Sequence, residues 1–108
     1  MRVISGSARG RKIKVPKTDL RPLSDQAREA LFNILAKKTP GSDILDLFAG
    51  SGAVGIEALS RGARVVIFVE KERKAVECIR ENLDELSFSD RAEVYSLDVA
   101  RALKILPA

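Results

Sequence analysis

Three times along this chain a short apolar run ends at an acid and gives way, through a turn, to apolar residues at helical spacing. The first run, Asp43-Ile44-Leu45-Asp46, passes through Leu47-Phe48-Ala49-Gly50-Ser51-Gly52 into a helix that opens Ala53-Val54-Gly55-Ile56-Glu57-Ala58 and stops at Arg61-Gly62. The second, Arg64 to Glu70, is continuously apolar over Val65 to Val69, as a parallel strand covered on both faces would be. It leads into a helix from Glu72 to Leu86, whose buried side is traced by Val76, Ile79, Leu83 and Leu86. The third, Ala92 to Leu97, ends at Asp98, and a last helix runs from Val99 to Leu106 before Pro107-Ala108. Such alternation predicts an α/β fold with a parallel sheet and right-handed crossovers.

Two elements come before this series. Met1 to Ile4 and Lys12 to Val15 read as short strands joined by Ser5-Gly6-Ser7-Ala8-Arg9-Gly10, a hairpin in which Lys12 and Lys14 alternate with Ile13 and Val15. Lysine on one strand face is ordinary protection of an edge, but arginines in the same loop favour a phosphate-binding platform. Pro16 to Pro22 is a linker, and Ser24 offers a helix N-cap with Asp25 in the first turn. Ala27, Ala30, Leu31, Ile34 and Leu35 predict the core face of that helix, which leaves Arg28 on the other side, solvated or joined to the basic arm. Lys37, Lys38 and Pro40-Gly41 close the helix.

Strand, glycine turn and helix are the context in which Gly50, Gly52 and Gly55 carry meaning. Gly50 lets the chain turn sharply, Gly52 is expected to bare the backbone to a ligand, and Gly55 to let helix and strand pack closely. The loop is a nucleotide cradle. Asp46, four residues ahead of Gly50, suits a cationic ligand such as S-adenosylmethionine better than a pyrophosphate held on a helix N-terminus. Glu70 can take both ribose hydroxyls of an adenosine, but that fits NAD equally well. A dinucleotide-binding half-domain therefore stays open beside S-adenosylmethionine. The plainer reading has Asp46 cap the loop and Glu70 begin a helix.

Composition then narrows the chemistry. A chain of 108 residues is one domain or part of one, with enough surface to bury for a real core. No apolar run reaches membrane-helix length, and Met1-Arg2-Val3-Ile4 does not open a signal peptide. The single cysteine, Cys78, reads as a small apolar filler and suits a reducing cytoplasm. Histidine is absent, which removes Ser-His nucleophiles, imidazole acid–base work and the usual zinc sites, so no metal is expected. Residues 1–40 carry ten basic against three acidic side chains, a balance of +7, while the whole chain is +4 and the remainder therefore −3. A basic arm on a mildly acidic body points to a polyanionic partner.

Several stretches together resemble the RsmD-like family of bacterial methyltransferases, which modify guanine N2 in 16S ribosomal RNA. They are Met1-Arg2-Val3-Ile4-Ser5-Gly6 with Arg9-Gly10-Arg11-Lys12; Arg21-Pro22 with Ser24-Asp25 and the run Arg28 to Leu35; Leu45 to Gly52; Gly55 to Gly62; and Phe68-Val69-Glu70-Lys71. The resemblance implies a Rossmann-like class I S-adenosylmethionine-dependent methyltransferase with an incomplete parallel sheet, its first three strands, and an amino-terminal hairpin and helix. Residues 1–22 would be the basic hairpin arm and linker, and 23–108 the amino-terminal half of the methyltransferase domain. It implies that Asp46 with the Ala49, Gly50, Ser51 and Gly52 backbone holds the methionine end, and that Glu70 binds the ribose with Lys71 beside it. Asp98, next to Val99, would meet the adenine amino group. Arg9, Arg11, Lys12, Lys14, Arg21 and Arg28 would contact RNA, in ribosomal RNA or the small subunit, in the cytoplasm.

Two departures stand out. Leu23 occupies a position where the family usually has threonine or serine, and the family's catalytic Asn/Asp-Pro-Pro-aromatic motif does not occur. These 108 residues alone are therefore expected to be inactive, with the edge at Ile44-Leu45-Leu47 prone to self-association. A non-catalytic RNA-binding module is the remaining alternative.

Overall fold

Three parallel strands, β1 (Asp43–Asp46), β2 (Val65–Glu70) and β3 (Ala92–Ser96), lie side by side in that order. In the computed structural model, residues 1–16, 23–47 and 49–105 are described. The expected linker residues 17–22, Arg21 among them, fall outside the described residues, as do Phe48 and the chain end from Leu106. Helix α1 (Asp25–Leu35) precedes the sheet, and α2 (Ala53–Ser60), α3 (Arg73–Glu85) and α4 (Val99–Ile105) follow β1, β2 and β3 in turn. The α/β alternation is as the apolar pattern predicts. A short 3₁₀ turn, Ser89–Arg91, was not predicted, having no apolar period to announce it.

β2 is the middle strand, and its Val66, Phe68 and Val69 are buried. Gly55 of α2 lies so close to Phe68 that an added Cβ would fall 2.2 Å from the ring's Cε1, so close helix–strand packing is the reason for this glycine. Burying a ring like that of Phe68 is worth about 1.5–3 kcal/mol. β1 is the edge of the described sheet, with Leu45 44% exposed.

The hairpin is shorter than the sequence suggests. Only Arg2 and Lys12 form an antiparallel bridge, flanked by the Val3 N–H to Arg11 carbonyl bond (2.9 Å) and the Ile13 N–H to Met1 carbonyl bond (2.8 Å). The reason is competition for the flanking amides. Ile4 and Ser5 donate instead to the two carboxylate oxygens of Glu57 at 2.8 and 3.0 Å. Ser60 takes the next turn: its carbonyl accepts from Ser7 N–H (2.8 Å) and its hydroxyl accepts from Ala8 N–H (2.9 Å). Gly6, at φ +90°, comes so near that an added Cβ would sit 1.9 Å from the Ser60 carbonyl oxygen. Val3 and Ile13 join the same buried cluster as α2 and β2, so the hairpin is docked rather than a loose arm.

α1 begins as expected, with Ser24 Oγ accepting from Ala27 N–H at 3.1 Å. Its buried face does not follow the expected stripe. Arg28 and Phe32 are buried and Leu31 and Leu35 partly so, whereas Ala27 and Ala30 are exposed and Ile34 is 81% exposed. The stripe is displaced by one residue, about 100° of helix rotation. Two polar groups set that angle: Glu57 draws in Arg28, and the Arg61 guanidinium lies over the Phe32 ring, 4.9 Å from its centre.

Candidate functional site

The strand register arranges the three acids as a staircase. Asp46 pairs with Phe68, and Glu70 lies two residues further on; Glu70 pairs with Ser96, and Asp98 again lies two residues further. Each step is roughly 6.6 Å along the strands and about 4.8 Å across them, so the acids span on the order of 16 Å along a diagonal at the carboxyl edge of the sheet. Open α/β sheets bind ligands at that edge.

Between Asp46 and α2 the loop is braced from β2. Ala49 N–H donates to the Val69 carbonyl at 3.2 Å, and Gly50 N–H donates to Glu70 Oε1 at 3.0 Å. Glu70 Oε2 accepts from Glu72 N–H at 2.8 Å, where α3 begins. Glu70 thus fixes the glycine loop and the next helix with one carboxylate. Asp98 is exposed, and its Oδ1 accepts from Arg101 N–H at 2.7 Å, capping α4. Gly50 (φ +56°) and Gly52 (φ +82°) both hold left-handed backbone.

A cavity of about 340 Å³ opens over this edge, lined by Asp46, Ala49, Gly50, Ser51, Glu70, Lys71, Asp98 and Val99. All of these were expected from the sequence. Gly52 is the exception: it does not line the cavity, and a Cβ there would meet Ile79 Cγ1 at 3.1 Å. Its positive φ and the closeness of Ile79 on α3 both call for glycine at this position. Val15, Pro16, Leu23, Leu47, Ala53, Val54 and Leu97 complete the wall and were not anticipated as site residues. Val15 and Pro16 could not have been found from spacing, because only the docking of the hairpin brings them there. Among the lining residues Lys71 is the one cation against three carboxylates.

The expected basic surface divides. Arg9, Arg11 and Lys12 are exposed. Arg11 Nη2 also donates to the Glu85 carbonyl at 2.9 Å. Lys14 Nζ is paired with Glu85 (2.9 Å) and Glu81 (3.4 Å), and hydrogen bonding to Glu85 first, then its charge and Glu81, raise its pKa above the usual lysine value. Arg28, expected to face RNA, is buried: its Nη2 donates to the Arg2 carbonyl, and its Nε lies 3.4 Å from Glu57. No phosphate can reach it in this fold. The signal for its burial was Glu57, an acid in the middle of an otherwise apolar helix.

The family described as "Conserved hypothetical protein 95" matches residues 1–108. The "Ribosomal RNA small subunit methyltransferase D" of Haemophilus influenzae is 44% identical over 96 residues, 87% of this chain and 50% of that protein. Among solved structures, the Escherichia coli protein yhhF superposes with a TM-score of 0.88 at 39% identity, covering 95% of this chain and 55% of that one. The carboxyl-terminal domain of precorrin-6Y C5,15-methyltransferase from Rhodobacter capsulatus gives 0.73 at 27% identity, over 86% of this chain and 53% of that one. The chain spans about half the length of the curated relatives it matches. The sheet and its helices have the Rossmann-like fold of class I methyltransferases.

Proposed function

Because the chain belongs to the conserved hypothetical protein 95 family, the RsmD-like proteins, we propose that it holds the S-adenosylmethionine of an rRNA methyltransferase that modifies a guanine exocyclic amine. The observation that carries this is the charge of the cavity, with Asp46, Glu70 and Asp98 in one wall and Lys71 the lone cation among the lining residues. Bound there, S-adenosylmethionine would supply a methyl group activated on a sulfonium. Asp46 suits the cationic methionine end, Glu70 the ribose hydroxyls and Asp98 the adenine amino group, with Val15, Val54 and Val99 as apolar wall. Glu70 would suit the ribose of a dinucleotide equally, but a pyrophosphate held near Asp46 would meet a like charge, which is unfavourable.

No Asn/Asp-Pro-Pro-aromatic sequence occurs among the 108 residues. This reading therefore assigns them cofactor holding and RNA contact rather than alignment of the target amine. The exposed Arg9, Arg11 and Lys12 are the RNA contacts, and the setting is the cytoplasm. The test is a paired titration, S-adenosylmethionine by calorimetry and NADH by fluorescence. Binding of the first and not the second is the expected result; the reverse would establish the dinucleotide reading. Binding of neither, together with RNA binding, would leave a non-catalytic RNA module.

A further inference from the structure

Two walls of the cavity come from distant parts of the chain: Ala49 to Ser51 from the glycine loop, and Val15-Pro16 from the exit of the hairpin. One buried side chain joins them. Asn82 of α3 is 1% exposed; its Oδ1 accepts from Lys14 N–H at 2.8 Å, and its Nδ2 donates to the Lys14 carbonyl at 3.0 Å and the Ser51 carbonyl at 3.2 Å. These partners fix the amide's orientation. Turned over, its NH₂ would face an N–H donor and its oxygen two carbonyls. Three residues earlier on α3, Ile79 packs against Gly52, and Cys78 Sγ lies 3.1 Å from the same Lys14 carbonyl. A leucine would fill the space, but only an amide satisfies three converging main-chain groups.

We propose that Asn82 is a positioning residue of the cofactor site, setting the separation between the Val15-Pro16 wall and the Ala49–Ser51 floor. It acts through main chain alone and touches no ligand. A ligand held on the floor then favours the docked hairpin, and by linkage anything that stabilises the docked hairpin tightens ligand binding. The inference rests on the cofactor reading above.

The test is S-adenosylmethionine calorimetry on the whole chain, the Asn82→Asp variant and a control, Phe88→Leu. Phe88 is buried just before β3, at the sheet end opposite the cavity. Asn82→Asp keeps the volume and the acceptor for Lys14 N–H, but turns an acceptor on both carbonyls. Affinity should fall about tenfold or more at roughly pH 8. It should recover in part at about pH 5, where the introduced buried carboxyl takes up a proton and can donate to one carbonyl. The unaltered chain sets the reference at both pH values. If Asn82→Asp shows no cooperative melting, Asn82→Ser, whose hydroxyl can still donate once, is measured instead and should lose affinity likewise. Equal affinity in the Asn82 variant and the unaltered chain overturns the proposal. So does an equal affinity loss in Phe88→Leu at matched loss of melting temperature. No binding by the unaltered chain overturns the cofactor reading itself, and is told apart by that.

Discussion

Arg28 and Glu57 meet inside the protein with neither side chain exposed (0% each), Arg28 Nε lying 3.4 Å from Glu57 Oε1. The pair is shared by three elements. Glu57 also receives Arg61 Nε at 2.9 Å and the Ile4 and Ser5 amides, while Arg28 reaches the Arg2 carbonyl and Asp25. It fastens α1 and the hairpin to α2.

Removing one partner leaves the other charge buried, and that is costly. Arg28→Ala should lower stability by about 3 kcal/mol, at the small end of the range for buried pairs because Arg61 still faces Glu57. Arg28→Met should cost less, having no comparable cavity. Urea titration measures both; an Arg28→Ala loss below about 1 kcal/mol would mean the pair is solvated in solution.

The same burial separates Arg28 from RNA recognition. Phosphate contacts release counterions, so each one removed lowers the log–log salt slope by somewhat less than one unit. Arg9→Ala and Lys12→Ala should each do so. Lys14→Ala should do less, since Glu81 and Glu85 already neutralise it, and Arg28→Met should leave the slope alone. Filter binding of an rRNA fragment across salt concentrations decides, and a changed slope for Arg28→Met would contradict the structure.

Glu70→Ala removes the acceptor of Gly50 and Glu72 amides as well as any ribose contact. S-adenosylmethionine affinity should drop between about tenfold and a hundredfold. Asp98→Ala, at an exposed helix cap, should lose less. Calorimetry with unchanged affinity in Glu70→Ala would sink the ligand assignment.

Two hairpin glycines offer a matched comparison. Gly10 has φ +81° with nothing within 4 Å of an added Cβ, whereas Gly6 has φ +90° and the Ser60 carbonyl oxygen 1.9 Å away. Gly10→Ala should cost only left-handed strain, roughly 1–2 kcal/mol. Gly6→Ala adds a backbone clash and should cost clearly more, visible as a lower melting temperature. Equal costs would show that the hairpin does not dock on α2.

Burial, and then the charge of Glu81, raise the Cys78 thiol above its ordinary pKa. The folded state thus favours the neutral thiol. Its contribution is complete below the unfolded thiol's pKa, about 8.5, and is lost as pH rises toward the folded value. Lys14, also raised, loses its contribution in the same alkaline direction. The urea midpoint should fall above about pH 8.5, less so in Cys78→Ala, and iodoacetamide should label Cys78 slowly until the protein unfolds. Rapid labelling of the native chain would contradict the burial.

The sheet was legible because each strand ended its apolar run at an acid, and those acids fall where the register staggers them toward one cavity. The α1 face was not. Ile34 and Ala30 carry the apolar period, yet the helix turns Phe32 and Arg28 inward, toward Arg61 and Glu57, a rotation that buries the larger aromatic side chain and that apolar spacing alone does not signal. Asn82 was equally hidden. An asparagine on the polar flank of a helix looks solvated until the main chain of Lys14 and Ser51 is seen to converge on it.

The docking of the hairpin on Glu57 and Ser60 uses only the amides and carbonyls of residues 4, 5, 7 and 8. Backbone groups are the same whatever residue bears them, proline aside. The outward side chains at positions 9 and 12 can therefore be exchanged with little disturbance of the seat beneath them, whereas Arg11 also ties the loop to the Glu85 carbonyl. The loop behaves as a socketed part: a different charge pattern could be mounted there, by evolution or by an engineer, to address a different stretch of nucleic acid without re-solving the fold.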